Sequence, residues 1–300
     1  MSTKKIIILV LGIAAMAIFL YMYAVKIPRD NASKGNLHVT ASFYPLAFLA
    51  QEIGGDKVSV TNLTPAGAEP HDFEPSARDM AEIERSRVVI VNGLGLEPWI
   101  DNVKKNIDPK KTVLLIAGEG RDISRKGDPH IWLNGGIMYA MAKQIALTFA
   151  EMDAANGAEY FNNLAEFGDK INVLGAEYRS GLAECDTKSF VTSHDAFGYL
   201  AENYGLKQVP IAGLSPDAEP SSKDLGTIAA FAKENNIKYI FFESLVSPKL
   251  ADTIANEIGA KTLVLNPLEG LTNEDLSNGK DYWSVMRENL ANLKIALSCK

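Results

Sequence analysis

The chain has 300 residues, of which 47% are hydrophobic and 22% charged, with a formal net charge of −7 and a pI of about 5.3. That composition excludes an intrinsically disordered chain and leaves room for two lobes, each with its own core. No Lys/Arg-rich run follows the first few residues, which argues against nucleic acid as a partner, while the acidic balance suits a cationic ligand.

The first element is apolar. Lys4 and Lys5 precede residues 6–25, a stretch without a charge that is about as long as a membrane span requires. It carries no clear small-x-small cleavage site, Met22-Tyr23-Ala24 being a poor one, and no nearby cysteine that could take a lipid. Residues 1–25 therefore read as an uncleaved membrane segment, with a cleaved signal peptide as the alternative. Either way the remainder is exported, to the periplasmic or extracellular face of the membrane. Residues 26–36, polar with Pro, Ser and Gly, read as a flexible linker.

Strands and helices then alternate. Continuous Val/Ile/Leu-rich runs at 39–43, 58–63, 88–91 and 113–116 predict strands buried on both faces, as in a parallel sheet. Helical patterns lie between and after them, at 46–53, 77–85, 97–107 and 137–153; the second starts at Ser76 with Asp79 three residues on, a capping box. A second set of strands is predicted at 190–192, 209–213, 239–242 and 262–265, with helices at 195–204, 224–235, 248–258 and 281–298.

Between the two sets, residues 158–184 contain no proline, and Phe161, Leu164, Phe167, Ile171, Leu174, Tyr178 and Leu182 recur at three- and four-residue steps. This predicts one amphipathic helix about 40 Å long. Gly168, Gly175 and Gly181 each weaken it by roughly 1 kcal/mol, so packing must hold it. The expected fold is α/β with two lobes, each a mainly parallel four-stranded sheet with flanking helices. The boundaries are 37–155 for the first lobe, 156–184 for a rigid connecting helix and 185–300 for the second lobe. The two cysteines, Cys185 and Cys299, can join in an oxidising compartment; the alternative is two unpaired thiols, and no CxxC spacing suggests metal binding by them.

In open parallel sheets ligands bind beyond the carboxyl ends of the strands. Three of the four histidines fall there: His71, stiffened between Pro70 and Pro75; His130, preceded by Pro129; and His194, directly after a strand. Glu269 follows the last predicted strand. A stiff, aimed neutral imidazole is a good metal ligand. Each residue also has an ordinary alternative: a surface loop for His71, packing on Trp132 for His130, a helix cap for His194, a solvated carboxylate for Glu269. His38, at the start of the first strand, reads as structural. Glu243 is a second candidate for the fourth ligand or a partner orienting a ring N–H, a role also open to Asp128, Asp72 and Asp195.

The segments PHDFEPS, DPHIWLN, TSHDAFGYLA and NPLEGLT, in that order and with the long central helix, resemble the exported zinc- and manganese-binding solute receptors of ABC transporters. The resemblance covers residues 37–300. It implies a receptor that captures a metal between its lobes and delivers it to a membrane permease, with His71, His130, His194 and Glu269 as ligands. Manganese members usually carry a carboxylate where this chain has His194. Imidazole-rich sets suit Zn²⁺, and oxygen-rich sets suit Mn²⁺. Zinc is therefore the expected cargo and manganese the alternative. The short stretch 123–127 lacks the His/Asp/Glu-rich insertion common in zinc members. Further expectations are a monomer, no enzymatic activity, tethering by the N-terminal segment and an affinity that falls as pH drops through 6–6.5; cell adhesion is a third reading, as an added role that needs no change at the site. The rival class, an exported zinc metallohydrolase, lacks both HExxH and Gly-x-Ser-x-Gly.

Overall fold

The structure, a computed structural model, describes residues 36–120, 124–125, 127–218 and 220–300. The predicted apolar N-terminal segment, and the linker up to residue 35, lie outside the described residues. Among the described residues no helix is long and apolar enough to cross a membrane.

The first lobe runs β1 (Leu37–Ala41), α1 (Tyr44–Gly54), β2 (Val58–Asn62), α2 (Ala77–Arg85), β3 (Val88–Val91), α3 (Ile100–Asn106) and β4 (Val113–Ile116). Its strands are all parallel in the order β2-β1-β3-β4. After α4 (Gly135–Met152) and the long α5 (Gly157–Gly181), the pattern repeats. The second lobe contains β5 (Ser189–Thr192), α6 (Gly198–Asn203), β6 (Lys207–Pro210), α7 (Ser222–Glu234), β7 (Tyr239–Phe242), α8 (Lys249–Ile258) and β8 (Lys261–Val264), closed by α9 (Asn273–Ser277) and α10 (Tyr282–Leu297). Its parallel order, β6-β5-β7-β8, matches that of the first sheet. In each sheet the chain reverses its direction of winding beside the first strand, which creates a crevice at the carboxyl ends.

The buried faces explain the continuous apolar strands. Val88 and Ile90 point into a large central core, while Val89 and Val91 pack outward with Ile83, Trp99 and Val103. In the second sheet Phe190 and Phe241 point to the central core, and Val191 and Ile240 pack outward with Ile228, Ala232, Ala251 and Ile254. The central core is shared by both lobes. Trp132 Nε1 donates to the Pro267 carbonyl at 2.7 Å, and the Tyr282 hydroxyl donates to the Trp132 carbonyl at 2.8 Å. Phe48 stacks on Tyr282 at 5.3 Å between ring centroids.

Helix α5 has 25 residues, so it spans about 37 Å. Its buried stripe is Tyr160, Leu164, Phe167, Ile171, Leu174 and Tyr178. Phe161, expected on that stripe, is 44% exposed; Tyr160 takes its place, anchored by its hydroxyl on Asp153 at 2.7 Å. The helix ends at Gly181, three residues before the predicted limit. There a Cβ would lie 3.2 Å from Leu290 of α10, so the missing side chain lets the two helices approach closely.

The capping box predicted at Ser76 and Asp79 is present at the start of α2. Helix α6 is shorter than expected: it starts at Gly198, so His194 is not its cap. Cys185 and Cys299 form a disulfide. Around it, Lys300 N–H donates to the Glu184 carbonyl and Thr187 N–H to the Leu297 carbonyl, pinning the chain's last residues to the entrance of the second lobe.

Candidate metal centre

His71 sits in a single 3-10 turn, Pro70–Asp72, whose first N–H groups are capped by Glu69: its Oε1 accepts from the His71 N–H at 3.3 Å. This loop is tied to the Glu269 loop by Gly67 N–H donating to the Leu271 carbonyl at 3.0 Å. His130 follows Pro129 and opens the 3-10 turn Ile131–Leu133. The Pro129 carbonyl accepts from Asn92 Nδ2 at 2.9 Å. Asn92 is itself fixed by buried Glu97, whose carboxylate accepts from the Asn92 and Gly93 N–H groups and the Ser42 hydroxyl at 2.7, 2.9 and 2.6 Å.

His194 leaves the end of β5, and its carbonyl accepts from Thr192 Oγ1 and Gln208 Nε2, both at 2.8 Å. Glu269 follows Leu268, which adopts φ +60°, a left-handed conformation that costs a branched residue about 1–3 kcal/mol. Asn289 of α10 holds this turn through both its amide groups, pairing with the Asn266 N–H and carbonyl at 2.9 and 2.7 Å. Asn266 in turn accepts from the Leu268 N–H at 2.7 Å.

These four loops bring one donor atom each to a common point. Ligand atoms of His71, His130, His194 and Glu269 all lie within 4.8 Å of one another. From Glu269 Oε1, the Nε2 atoms of His71, His130 and His194 are 3.3, 3.0 and 3.4 Å away, and His130 Nε2 is 3.3 Å from His194 Nε2. Donors about 2.0–2.1 Å from a tetrahedrally coordinated ion are separated by about 3.3–3.4 Å along the tetrahedron's edges. Four of the six donor–donor separations, 3.0–3.4 Å, are close to those edge lengths, and the two between His71 and the other histidines stay within 4.8 Å. Three of the side chains are sealed, His130 and His194 at 0% and Glu269 at 1% exposure, and His71 is 10% exposed. Glu269 Oε2 is buried with no hydrogen-bond partner among the described residues, a cost that a cation at the centre would offset.

Two carboxylates orient the rings from behind. Asp128 Oδ1 is 2.8 Å from His130 Nδ1 and also accepts the His130 backbone N–H at 3.0 Å. Glu243 Oε2 is 2.7 Å from His194 Nδ1, an ion-pair distance without straight hydrogen-bond alignment. Its other oxygen accepts the His194 backbone N–H at 3.2 Å. Each carboxylate faces Nδ1 and leaves Nε2 for the centre. Asp195 instead faces Arg125, and Asp72 shares a proton-dependent contact with Asp217 that raises its pKa. His38 is exposed on β1, away from the centre.

The charges are strongly coupled. Burial raises the Glu269 carboxyl, but hydrogen bonds from the three imidazoles override it and hold it well below the usual carboxylate range. Burial lowers the His194 imidazole, yet Glu243 and Glu269 reverse that and push it up to about 11. His130 is raised in the same way, against burial, by Asp128 and Glu269. Burial lifts Glu243, and burial with the nearby Glu269 charge pushes Glu69 up to about 9. In the metal-free protein, protons held on the raised imidazoles offset part of the buried carboxylate charge.

The residues that hold these loops and that the sequence did not single out are Asn92, Glu97, Asn289 and Arg125. Asn92-Gly93-Leu94-Gly95 directly after a strand was a signal for a shaped loop, since three of its residues have φ between +58° and +90°. Asn289 sits within an ordinary amphipathic helix and gave none.

Residues 39–296 match the family described as "Zinc-uptake complex component A periplasmic". The chain is 40% identical over 287 residues to the Bacillus subtilis high-affinity zinc uptake system protein ZnuA, an alignment covering 89% of this chain and 90% of that one. It is 34% identical over 319 residues to the zinc-binding protein AdcA of Streptococcus pyogenes serotype M6, covering 97% of this chain but only 61% of the longer relative. Among solved structures, the Zn(II)-bound ZnuA-like domain of Streptococcus pneumoniae AdcA superposes with a TM-score of 0.78 at 38% identity, covering 88% of this chain and 99% of that domain.

Proposed function

The chain belongs to the family of periplasmic zinc-uptake component A, and from that premise we propose that it captures Zn²⁺ between its lobes and delivers the ion to an ABC-type membrane permease. His71, His130, His194 and Glu269 are the ligands in this reading, with Glu243 behind His194 and not on the ion. The observation that carries it is the convergence of three imidazole nitrogens on one carboxylate oxygen at 3.0–3.4 Å, all four donors within 4.8 Å of one another, which a small shift brings to the edges of a zinc tetrahedron. Nitrogen-rich donors favour zinc over manganese. Four protein donors leave no open position for a water or a substrate, which a zinc hydrolase requires, so the function is capture and not catalysis.

The test is metal analysis of protein purified without added metal, followed by zinc and manganese titration of the wild type and His194→Glu. Zinc should dominate in the wild type, and His194→Glu should move the preference towards manganese. A wild-type preference for manganese overturns the assignment.

Binding must also evict protons. With the His194 pKa near 11, its ring is protonated across the neutral range in the metal-free protein. Competition with zinc therefore extends well above the pH 6–6.5 window suggested by an unperturbed histidine. Zinc affinity should rise by at least about tenfold per pH unit between pH 6 and 9. Calorimetry in buffers of different ionisation enthalpy should register at least one proton released per ion, and a pH-independent affinity contradicts this. The sign for stability is opposite. A folded pKa above the unfolded value means that His194 stabilises the metal-free fold fully below about pH 6.5, and this contribution is lost as pH rises towards 11.

The same reading has the chain working outside the cytoplasm as a monomer, tethered by residues 1–25. Cell fractionation checks the tether: the chain should stay with membranes through a high-salt wash, and recovery in the soluble fraction argues for cleavage.

A further inference from the structure

Arg125 lies in the loop that precedes His130, three residues before Asp128. Its Nε donates to Asp128 Oδ2 at 2.6 Å, while its Nη2 donates to both oxygens of Asp195 in the second lobe at 3.0 and 3.1 Å. Nη1 is 3.6 Å from Glu202 Oε1 on α6, and the neighbouring Ser124 hydroxyl donates to Glu202 Oε2 at 2.6 Å. The Tyr199 hydroxyl, also on α6, donates to the carbonyls of Arg125 and Asp128 at 2.8 and 3.2 Å.

The guanidinium packs against Gly198. A Cβ built there would collide with Arg125 Cζ, so a side chain at this position displaces the guanidinium. The two carboxylates Arg125 joins are not arbitrary. Asp128 uses its other oxygen to orient His130, and Asp195 follows His194 directly.

We propose that Arg125 is a positioning residue that clasps the two lobes together over the captured ion, linking the group that orients His130 in one lobe to the residue beside His194 in the other. The inference rests on the ligand set proposed above. An exposed ion pair would contribute little. This one differs: the guanidinium side chain is 26% exposed, Asp128 is 3% exposed, and a planar fork serves two partners at once. Removing the cation leaves Asp128, Asp195 and Glu202 without the guanidinium that joins them across the lobe boundary, so the boundary loosens and Asp128 holds the His130 ring less firmly. The clasp thus acts on retention of the ion, chiefly on how fast it leaves.

The experiment measures zinc release by stopped-flow chelator competition, together with the zinc-free melting temperature, for the wild type, Arg125→Ala, Arg125→Lys, Gly198→Ala and His130→Ala. Gly198→Ala keeps every charge and every ligand but occupies the guanidinium's seat. Release should quicken by at least ~10-fold in Arg125→Ala and in Gly198→Ala, the scale on which partners of ligating histidines act. Arg125→Lys should fall between them and the wild type, since lysine keeps the charge and loses the fork. The zinc-free melting temperature should change little, which separates a clasp from a general structural role. If Arg125→Ala does not fold, Arg125→Lys and Gly198→Ala carry the test. Wild-type release rates in Arg125→Lys and Gly198→Ala, with tight binding lost in His130→Ala, overturn the clasp and leave the ligands intact. Absence of zinc binding by the wild type removes the ligand reading itself.

Discussion

Glu269→Gln is expected to weaken zinc binding by about 10²–10³-fold. Structural zinc sites are worth about 10–16 kcal/mol over four ligands, so one ligand accounts for roughly 3 kcal/mol, and 1.4 kcal/mol is tenfold. Glu269 should lie at the upper end of that range. It is the one anion among the four donors, it is 1% exposed, and all three imidazoles turn their Nε2 atoms towards its Oε1. Glutamine keeps the shape and an oxygen but leaves a divalent cation in a buried pocket of neutral donors. Competition titration with a fluorescent chelator gives the affinity. A loss smaller than tenfold would remove Glu269 from the ligand set and make Glu243 the candidate.

The second large effect concerns the disulfide. Cys185 and Cys299 close a loop with a sequence separation of 114, and in the chain-entropy model such a loop restricts the unfolded chain by about 4–5 kcal/mol. The double variant Cys185→Ser/Cys299→Ser should therefore lose stability on that scale in urea unfolding. In a fold of this size that corresponds to a melting temperature lower by roughly 8 °C. Zinc affinity should be unchanged, because neither cysteine belongs to the centre. An equal melting temperature for the oxidised wild type and the double variant contradicts the assignment.

Much of this was legible in the sequence for identifiable reasons. Parallel strands buried on both faces write themselves as unbroken apolar runs, so Val88–Val91 and Tyr239–Phe242 were found at their limits. The capping box at Ser76 is local chemistry, and local chemistry survives folding. Ligands at strand ends were legible because the topology of a parallel sheet directs its loops to one edge. Helix limits were less so. Phe161 fits the three- and four-residue spacing as well as Tyr160 does, and the partners that Tyr160 meets, Asp153 for its hydroxyl and Phe149 for its ring, lie outside that pattern. Nor does any spacing reveal that Asn289 holds the Leu268 turn or that Arg125 meets Gly198. Those pairs are distant in sequence and depend on how the two sheets meet.

The central core was described as common to both lobes, with Trp132 donating to Pro267 and accepting from Tyr282 across it and one face of α5 buried along it. A duplicated topology invites the idea of two modules that could be separated by cutting the gene. Here each half would expose the surface it buries against the other in the central core, and keep only the smaller outer clusters around Trp99 or Ile254 complete. The molecule is thus twofold in plan but single in cohesion: calorimetry should record one melting peak, and neither fragment should refold alone.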